Sequence, residues 1–342
     1  MKEIRTENAV GHVLCHDITQ IIKDEKKGVL FKKGHIIREE DIPALLAVGK
    51  EHLYVWEKQE GMLHENEAAE ILFRICAGQH MHGSEIKEGK IELIADCDGV
   101  LKIQRNKLLA VNSLGEMMIA SRHGDFPVKK GDKIAGTRVI PLIIEESKMT
   151  RAVSAAGQEP LFSILPYHHK KTAIVTTGSE VQKGLITDTF TPVLIEKLSE
   201  FSCEIIGQTL PGDNRSQITS DILQFIDEGA DLIICSGGMS VDPDDRTPGA
   251  IKDTGAEIIT YGAPVLPGAM LLLSYYQKGE KRIPILGLPG CVMYARRTVF
   301  DLVLPRIMAD DPISAKEISA YGEGGLCLNC ETCFFPNCGF GK

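Results

Sequence analysis

Several classes of protein are excluded by what this sequence lacks. It has no apolar run of about 18 residues, the minimum for a membrane-spanning helix, and its N-terminus lacks the apolar core of a signal peptide. The net charge of −9 argues against non-specific binding to nucleic acid, which needs clustered Lys and Arg. No Walker loop and no serine nucleophile elbow is present, so P-loop and serine-hydrolase chemistry have little support. We therefore expect a cytoplasmic globular protein with neither membrane nor nucleic-acid partners.

The chain is long enough for more than one domain. Its 342 residues contain 43% hydrophobic and 25% charged residues, which is ordinary for a globular protein. No internal repeat is evident. From the changes in pattern we predict a segment over residues 1–57, a mainly β module over 58–150, a linker over 151–171, an α/β domain over 172–308, and a Cys-rich tail over 309–342.

The two halves of the chain differ in their predicted elements. In the first half the pattern predicts helices over residues 41–49 and 64–77, and strands over residues 53–56, 90–95, 99–103, 108–111, 117–120 and 139–144. In the second half strands alternate with helices over residues 172–176, 189–201, 203–208, 215–228, 231–235, 247–253, 257–260, 283–288 and 291–307. This alternation is typical of the α/β class, with a parallel sheet and helices on both of its faces.

Three glycine turns each follow an apolar run and precede a stretch with helical pattern. They are Thr177-Gly178-Ser179-Glu180, Ser236-Gly237-Gly238-Met239-Ser240 and Leu288-Pro289-Gly290-Cys291. Each turn brings backbone N–H groups and the positive end of a helix dipole to the carboxyl edge of a strand. Any single turn is equally well explained as a tight connection. Three together predict a pocket for an anionic, phosphate-bearing ligand at the edge where open α/β sheets bind ligands.

Acidic residues stand beside these turns: Glu180, Asp213, Asp242, Asp244 and Asp245. Because carboxylates repel phosphates, a purely phosphate-binding site would avoid them. A divalent cation resolves the conflict, since Mg²⁺ takes one or two carboxylates together with phosphate oxygens of the ligand. The alternative is that Asp213 and Asp245 cap helices, and Asp188 could cap a helix in the same way. Helix capping and ligand binding are not exclusive roles.

These motifs resemble the molybdopterin-binding domain shared by molybdopterin adenylyltransferases and molybdopterin molybdenumtransferases, which are molybdenum insertases. The resemblance covers about residues 172–305, and the Ser-Gly-Gly stretch that ends in Asp-Asp-Arg-Thr-Pro248 is its most specific part. Residues 11–19 and 31–49 also resemble insertases, which makes residues 1–57 an insertase-like segment.

The resemblance implies site residues and partners. The implied catalytic acids are Glu180, Asp213 and Asp245, with Asp242 and Asp245 as Mg²⁺ ligands. The implied substrate-binding residues are Thr177, Gly178, Ser179, Ser236, Gly237, Gly238, Met239, Ser240, Thr247, Pro289 and Gly290. The substrates would be molybdopterin or its adenylylated form together with molybdate, and the partners a molybdoenzyme or another cofactor-assembly protein. Relatives of this domain self-associate, so a homo-oligomer is expected.

Three departures from the insertase pattern leave alternatives open. The family's Leu-Pro-Gly-Asn-Pro is Leu-Pro-Gly-Cys-Val in this chain, the Asp-Gly-Tyr-Ala segment is absent from the N-terminal half, and the Cys-rich tail stands in place of a C-terminal β domain. We expect an enzyme of molybdenum cofactor biosynthesis that promotes Mg²⁺-dependent molybdenum transfer. The alternatives are a non-catalytic cofactor carrier or sensor and a molybdopterin adenylyltransferase.

The tail carries the sequence's clearest metal signal, Cys327-x-x-Cys330-x-x-Cys333 followed by Cys338. Three thiols at i, i+3 and i+6 can surround one metal centre, and a fourth completes a shell of four sulfurs. Structural Zn²⁺ and an iron–sulfur cluster are both compatible with this spacing. Disulfides are disfavoured by the expected reducing compartment.

Overall fold

The computed structural model of the protein describes residues 2–22, 26–55, 60–240 and 242–342. The chain forms two compact units. Unit 1 contains the described residues of Met1–Asp96 together with Ile103–Arg122 and Lys130–Ser163, and unit 2 contains Cys97–Lys102, His123–Lys129 and Ile164–Lys342. Two short pieces of the predicted β module therefore belong to the C-terminal unit. The predicted boundary at residues 57 and 58, and the last residue of the predicted strand 53–56, lie outside the described residues.

The described chain folds into short strands and helices. In chain order, the strands are β1 (Lys2–Arg5), β2 (Ile18–Ile22), β3 (Lys26–Phe31), β4 (His52–Val55), β5 (Met62–His64), β6 (Met81–Gly83), β7 (Lys90–Ala95), β8 (Gly99–Ile103), β9 (Met117–Ser121), β10 (Pro127–Val128), β11 (Lys133–Val139), β12 (Ile143–Glu145), β13 (Phe162–Pro166), β14 (Lys170–Thr176), β15 (Cys203–Thr209), β16 (Leu232–Ser236), β17 (Glu257–Tyr261), β18 (Leu272–Lys278) and β19 (Lys281–Leu288). The α-helices are α1 (Ile42–Ala47), α2 (Glu65–Cys76), α3 (Arg105–Asn112), α4 (Glu146–Ala156), α5 (Ser179–Gln182), α6 (Phe190–Ser199), α7 (Arg215–Asp227), α8 (Thr247–Asp253), α9 (Val299–Met308) and α10 (Ala315–Ala320). No helix of the described residues is both long and apolar enough to cross a membrane.

Unit 1 is built on an antiparallel sheet with the strand order β6-β7-β11-β9, against which α2 packs. Helix α2 forms because its apolar residues recur at helical spacing, and the His64 side chain accepts a hydrogen bond from Asn66 N at its start. The predicted strand 108–111 is wrong, because these residues lie inside α3. Four consecutive apolar residues do not by themselves distinguish a strand from a helix. The last residue of α3 is held by its side chain, because Asn112 donates a hydrogen bond to Ile119 O and accepts one from Ile119 N.

Unit 2 is built on a six-stranded sheet with the order β15-β14-β16-β19-β18-β17. The prediction of a parallel sheet is right for β15, β14, β16 and β19 and wrong for the far edge, where β18 runs antiparallel to both of its neighbours. Only residues 279 and 280 separate β18 from β19, and a two-residue connection with Gly279 at φ 62° joins antiparallel strands. The sheet is therefore mixed.

The predicted helix over residues 291–307 is divided in two. A 3₁₀ helix covers Gly290–Met293, and α9 begins only at Val299. Helix α9 begins at Val299 because Thr298 caps it. The Thr298 hydroxyl accepts a hydrogen bond from Phe300 N, and the Asp301 carboxylate accepts one from Thr298 N. Residues 294–297 are therefore a loop rather than helix.

The C-terminal tail packs into the core of unit 2. Ile313, Ile318 and Phe340 are buried in the same cluster as the apolar residues of α9. The nearly buried Arg306 side chain of α9 pairs with Asp311 at 2.5 Å and with Glu317 at 2.6 Å. The tail is thus an integral part of this unit.

Candidate functional site

The three glycine turns lie at one edge of the unit 2 sheet. Strands β14, β16 and β19 are parallel neighbours, with Thr176 opposite Ser236 and Ser236 opposite Leu288. Each of these three residues is the last of its strand. The turns that follow therefore leave the sheet side by side at its carboxyl edge.

A cavity of about 520 Å³, which we call the cleft, opens at this edge. It is lined by Thr177, Gly178, Glu180, Val181, Ile186, Thr187, Asp188, Thr189, Phe190, Asp213, Gly237, Gly238, Asp242, Pro243, Asp244, Asp245 and Met293. The first two turns and all the predicted carboxylates thus meet in one cavity. Its lining contains many carboxylates and, among the described residues, no Lys or Arg.

The third turn reaches the cleft through its neighbours. Pro289 is buried, and Gly290 is exposed beside the cleft, where a Cβ built on it would come within 4.0 Å of the Phe190 ring. Met293, at the end of the 3₁₀ helix, lines the cleft and accepts a hydrogen bond from Thr189 Oγ1 at 2.7 Å.

Hydrogen bonds between buried backbone and hydroxyl groups connect the first two turns. Thr177 N donates to Ser236 O at 2.7 Å, and the Thr177 and Thr247 hydroxyls lie 3.0 Å apart. Thr247 Oγ1 also donates to Gly237 O at 2.9 Å. Thr247 and Ser236 therefore hold the shape of the cleft from beneath rather than lining it.

Both glycines of the second turn are required by its geometry. Gly237 has φ 85° and Gly238 has φ 54°, in the left-handed region that favours glycine. A Cβ on Gly237 would lie 2.5 Å from the Thr177 carbonyl oxygen, and one on Gly238 would lie 2.9 Å from Thr247 Oγ1. The backbone of this turn can approach the first turn only because neither residue has a side chain.

Two of the predicted carboxylates hold the loops as well as facing the cleft. Asp213 Oδ2 accepts a hydrogen bond from Ser179 N at 2.8 Å, at the start of α5. Asp245 Oδ2 accepts one from Asp242 N at 2.9 Å. Each contact uses one carboxylate oxygen, which leaves the other for a ligand. The alternative that the two acids cap the helices that follow them is wrong, because the Asn214 side chain caps α7 and α8 has no side-chain cap. Glu180 is exposed beside Gly178.

Met239 and Ser240 lie outside the cleft lining. The Met239 side chain is buried in the core, where it fills the space above Gly287, and Ser240 is exposed. The Tyr261 hydroxyl donates to the carbonyl oxygens of both residues, at 3.0 and 3.2 Å. Burial, with the nearby Asp245 carboxylate, raises the pKa of Tyr261 and keeps this donor protonated.

One wall of the cleft is not evident from the sequence. Val181, Ile186 and Phe190 contribute apolar side chains to its lining. They come from the short helix α5, the connection that follows it and the first residue of α6. The apolar pair Leu185-Ile186 in an exposed connection is the one feature that could have indicated it.

Asp188 caps α6 as predicted. Its Oδ1 accepts from Phe190 N and Thr191 N at 2.9 and 3.1 Å, and its Oδ2 accepts from Thr191 Oγ1 and Gln208 Nε2 at 2.6 and 2.8 Å. Partial burial alone would raise the pKa of the carboxyl, but the hydrogen bonds from Thr191, Gln208 and Phe190 outweigh it, so the pKa is lowered.

The Asp188 cap predicts an acid-sensitive contribution to stability. Because the folded-state pKa lies below the ordinary value of about 3.9, the contribution is complete above that value and is lost as the pH falls through the folded-state pKa. In Asp188→Asn the free energy of unfolding should fall by about 0.3–1 kcal/mol at neutral pH, because Asn can still cap the helix but carries no charge. Urea unfolding at several pH values should then show a shallower acid decline than in the parent protein. Parallel pH profiles would contradict this assignment.

The four tail cysteines line a second cavity in unit 2, of about 720 Å³, which we call the cysteine cavity. Cys330 and Cys333 are exposed, and Cys327 and Cys338 are half-buried. All ten cysteines lie in the described part of the chain and are free thiols. Across the described ranges, no group of three or more His, Cys, Asp or Glu side chains is arranged to hold a metal ion.

The cleft and the cysteine cavity share a segment of chain. Met293 lines the cleft, and the loop that follows it, residues 294–297, lines the cysteine cavity. Residues 290–297 therefore run from one cavity to the other within the same unit. The half-buried Cys291 lies in this segment.

The cleft residues lie within a part of the chain that matches a known family. Residues 173–309 match the family described as "Probable molybdopterin binding domain", and residues 3–57 match a domain of unknown function. The chain is 24% identical over 239 residues to a molybdopterin molybdenumtransferase of Synechococcus elongatus, which covers 67% of this chain and 56% of that protein. It is 39% identical over 77 residues to a CinA-like protein of Mycolicibacterium gilvum, which covers 22% of this chain and 18% of that protein. The chain thus spans little more than half the length of the first relative and less than a fifth of the second.

Solved structures with partial similarity include a tungsten cofactor synthesizing protein MoaB from Pyrococcus furiosus, with 20% identity, 36% of this chain and 83% of that chain covered, and a TM-score of 0.32. A putative molybdenum cofactor biosynthesis protein from Corynebacterium diphtheriae has 19% identity, 41% and 97% coverage, and a TM-score of 0.34.

Proposed function

Residues 173–309 belong to the molybdopterin-binding domain family, and on that premise we propose that the protein acts in molybdenum cofactor biosynthesis by binding molybdopterin or its adenylylated form in the cleft. The observation that carries the proposal is the meeting of two glycine turns and several carboxylates in one cavity. The proposed reaction is Mg²⁺-dependent transfer of molybdenum from molybdate to adenylylated molybdopterin, with release of AMP.

The cleft's chemistry fits a magnesium ion. Its carboxylates supply the hard oxygen ligands that Mg²⁺ prefers, and an anionic ligand would be repelled by them unless a cation lay between. Asp242 and Asp245 would hold the ion, and one or two carboxylates suffice when the ligand's phosphate oxygens complete the shell. When bound, the ion would neutralise charge that develops on the phosphate oxygens.

The chain's own groups would position the ligand. Backbone N–H groups at Gly178, Gly237, Gly238 and Gly290 would bind the phosphates, and the apolar side of the cleft at Phe190 would pack against the flat ring system. Asp213 would keep the first turn in place through Ser179 N while directing its second oxygen towards the cleft. The product would pass to a molybdoenzyme or another cofactor-assembly protein, and we expect the protein to self-associate.

Asp245→Asn tests the carboxylate role. The amide oxygen can still accept the hydrogen bond from Asp242 N, so the fold should be retained, but the negative charge is lost. With adenylylated molybdopterin, Mg²⁺ and molybdate, AMP release should fall by about 100-fold or more. The control is Asp227→Asn, an exposed carboxylate at the end of α7 that is not in the cleft lining, and it should leave the rate unchanged. Unchanged AMP release in Asp245→Asn would refute the role.

A second candidate function is a non-catalytic cofactor carrier or sensor. It is favoured by the segment 290–297, which extends from the cleft to the cysteine cavity. The same assay separates the candidates. Tight binding of adenylylated molybdopterin with no AMP release would indicate the carrier, and formation of that compound from ATP and molybdopterin would indicate an adenylyltransferase.

A further inference from the structure

We propose that Cys327, Cys330, Cys333 and Cys338 hold a [4Fe–4S] cluster in the cysteine cavity. This proposal does not depend on the function proposed for the cleft. It rests on the spacing of the thiols, the size of the cavity, the cations around it and the way the tail is anchored.

The spacing of the thiols favours iron over zinc. Structural zinc sites with four thiolates usually take them as two pairs separated by a long spacer. In this tail three thiols follow one another at intervals of three residues, and the fourth comes five residues after the third. Three such closely spaced thiols are typical of loops that bind [4Fe–4S] clusters, whereas plant-type [2Fe–2S] proteins begin with a wider first interval.

The size of the cavity agrees with a cluster, whose four thiolates bind different irons and so stand farther apart than the ligands of a single ion; no three of the described His, Cys, Asp or Glu side chains are grouped to hold such an ion. A zinc ion bonded to sulfur at about 2.3 Å needs no space beyond that enclosed by its four ligands. The four cysteines instead line a cavity of about 720 Å³, alongside apolar side chains that include Phe335 and Phe340. An iron–sulfur cluster brings sulfide ions and several metal ions into the site, and an apolar surround of this kind limits solvent access to it.

Two arginines supply positive charge beside the thiols. Arg296 and Arg297 both line the cavity, as does Cys333, and the Arg297 guanidinium lies 5.1 Å from the Phe335 ring centre. Arg296 Nη1 donates to Glu331 O at 2.6 Å, between the second and third cysteines. Four thiolates around a cluster carry net negative charge, which guanidinium groups lining the same cavity would offset.

The segment that carries the four cysteines, residues 327–338, is held at both ends by contacts within the protein. Cys327 N donates to Leu266 O at 2.8 Å, and Leu266 N donates to Gly325 O at 2.8 Å. At the other end Gly341 N donates to Gly324 O at 2.9 Å, and the Phe340 side chain is buried in the core. Because these contacts involve no metal, loss of a ligand should remove the cluster without unfolding the unit.

The experiment uses full-length protein purified anaerobically and reconstituted with iron and sulfide. We expect about four iron and four acid-labile sulfide per chain, with a broad visible absorption that dithionite bleaches by supplying one electron. Cys330→Ser, at an exposed ligand, should lose at least half of the iron and change the visible spectrum. Cys203→Ser is the control, because this cysteine lies outside the cavity and a serine can still donate to Thr172 Oγ1.

The same measurements can overturn the proposal. One zinc per chain in protein isolated with both metals present, about two iron per chain after reconstitution, or full iron content in a variant with all four tail cysteines replaced would each refute the cluster. Thermal melting of each variant shows whether the unit remains folded. AMP release by the cleft is a separate readout, so failure of the cluster and failure of the proposed function are distinguishable.

Discussion

Gly237→Ala is expected to abolish binding of adenylylated molybdopterin and to lower the free energy of unfolding by about 2–4 kcal/mol. Two costs add at this position. The residue has φ 85°, which an alanine adopts only with strain, and its Cβ would lie 2.5 Å from the Thr177 carbonyl oxygen. Because the oxygen is a backbone atom and the Cβ position is fixed by the backbone of residue 237, the turns must move apart, and the N–H groups of the cleft lose their common orientation.

A matched glycine separates these two costs. Gly229 has φ 97° with no atom within 4 Å of the Cβ position, so Gly229→Ala carries only the conformational cost, about 1–2 kcal/mol. It lies outside the cleft and should not alter ligand affinity. Titration calorimetry with Mg²⁺ present and urea unfolding of the two variants test both statements. Equal unfolding losses, or a Gly237→Ala protein with unchanged affinity, would contradict the close approach of the turns.

A third glycine tests the contribution of the Leu-Pro-Gly turn. Gly290 is not in the left-handed region, and its Cβ would meet only the Phe190 ring at 4.0 Å. Any effect of Gly290→Ala should therefore appear in ligand affinity and not in unfolding. This variant reports on the turn that lies beside the cleft rather than in its lining.

In unit 2 an element could be predicted from the sequence where Gly or Pro residues at its ends and the spacing of its apolar residues indicate the same bounds. The helix Thr247–Asp253 is confirmed at its predicted bounds, because Pro248 fits the first turn and the apolar residues face the core. Strand β18 was missed because its apolar run, Leu272 onwards, follows no helix and so does not fit a βαβ pattern. Its antiparallel pairing with β19 follows from the two-residue turn at Gly279, a local hairpin feature that could have identified it.

The candidate site likewise contains features that the sequence indicates and features that depend on the tertiary fold. The glycine turns and their carboxylates are visible in the sequence because strand ends, left-handed glycines and caps are local features. The apolar wall at Ile186 and Phe190, and the arginines beside the tail cysteines, depend on contacts between distant segments. Arg296 and Arg297 line the cysteine cavity from residues 294–297, which form a loop because a threonine cap starts α9 only at Val299.

The anchor of the C-terminal tail carries the other large expected effect. Asp311→Ala should lower the free energy of unfolding by about 3–5 kcal/mol, because it leaves a buried guanidinium without its main partner. The Arg306 side chain is 2% exposed, and Asp311 also accepts a hydrogen bond from Lys102 Nζ at 2.8 Å. Glu317, at 2.6 Å from Arg306, still pairs with the guanidinium in this variant, so the loss of stability should lie towards the lower end of that range.

The chain offers a matched pair for this test. Arg215 and Asp253 have the same chemistry, with two hydrogen bonds of 2.6 Å, but both side chains are largely exposed. Water and salt screen such a pair, so Asp253→Ala should change stability much less than Asp311→Ala. Urea unfolding at low and high salt measures both, and only the exposed pair should respond strongly to salt. Similar losses in the two variants would show that burial of Arg306 does not determine the effect, and that the tail is held by its apolar residues instead.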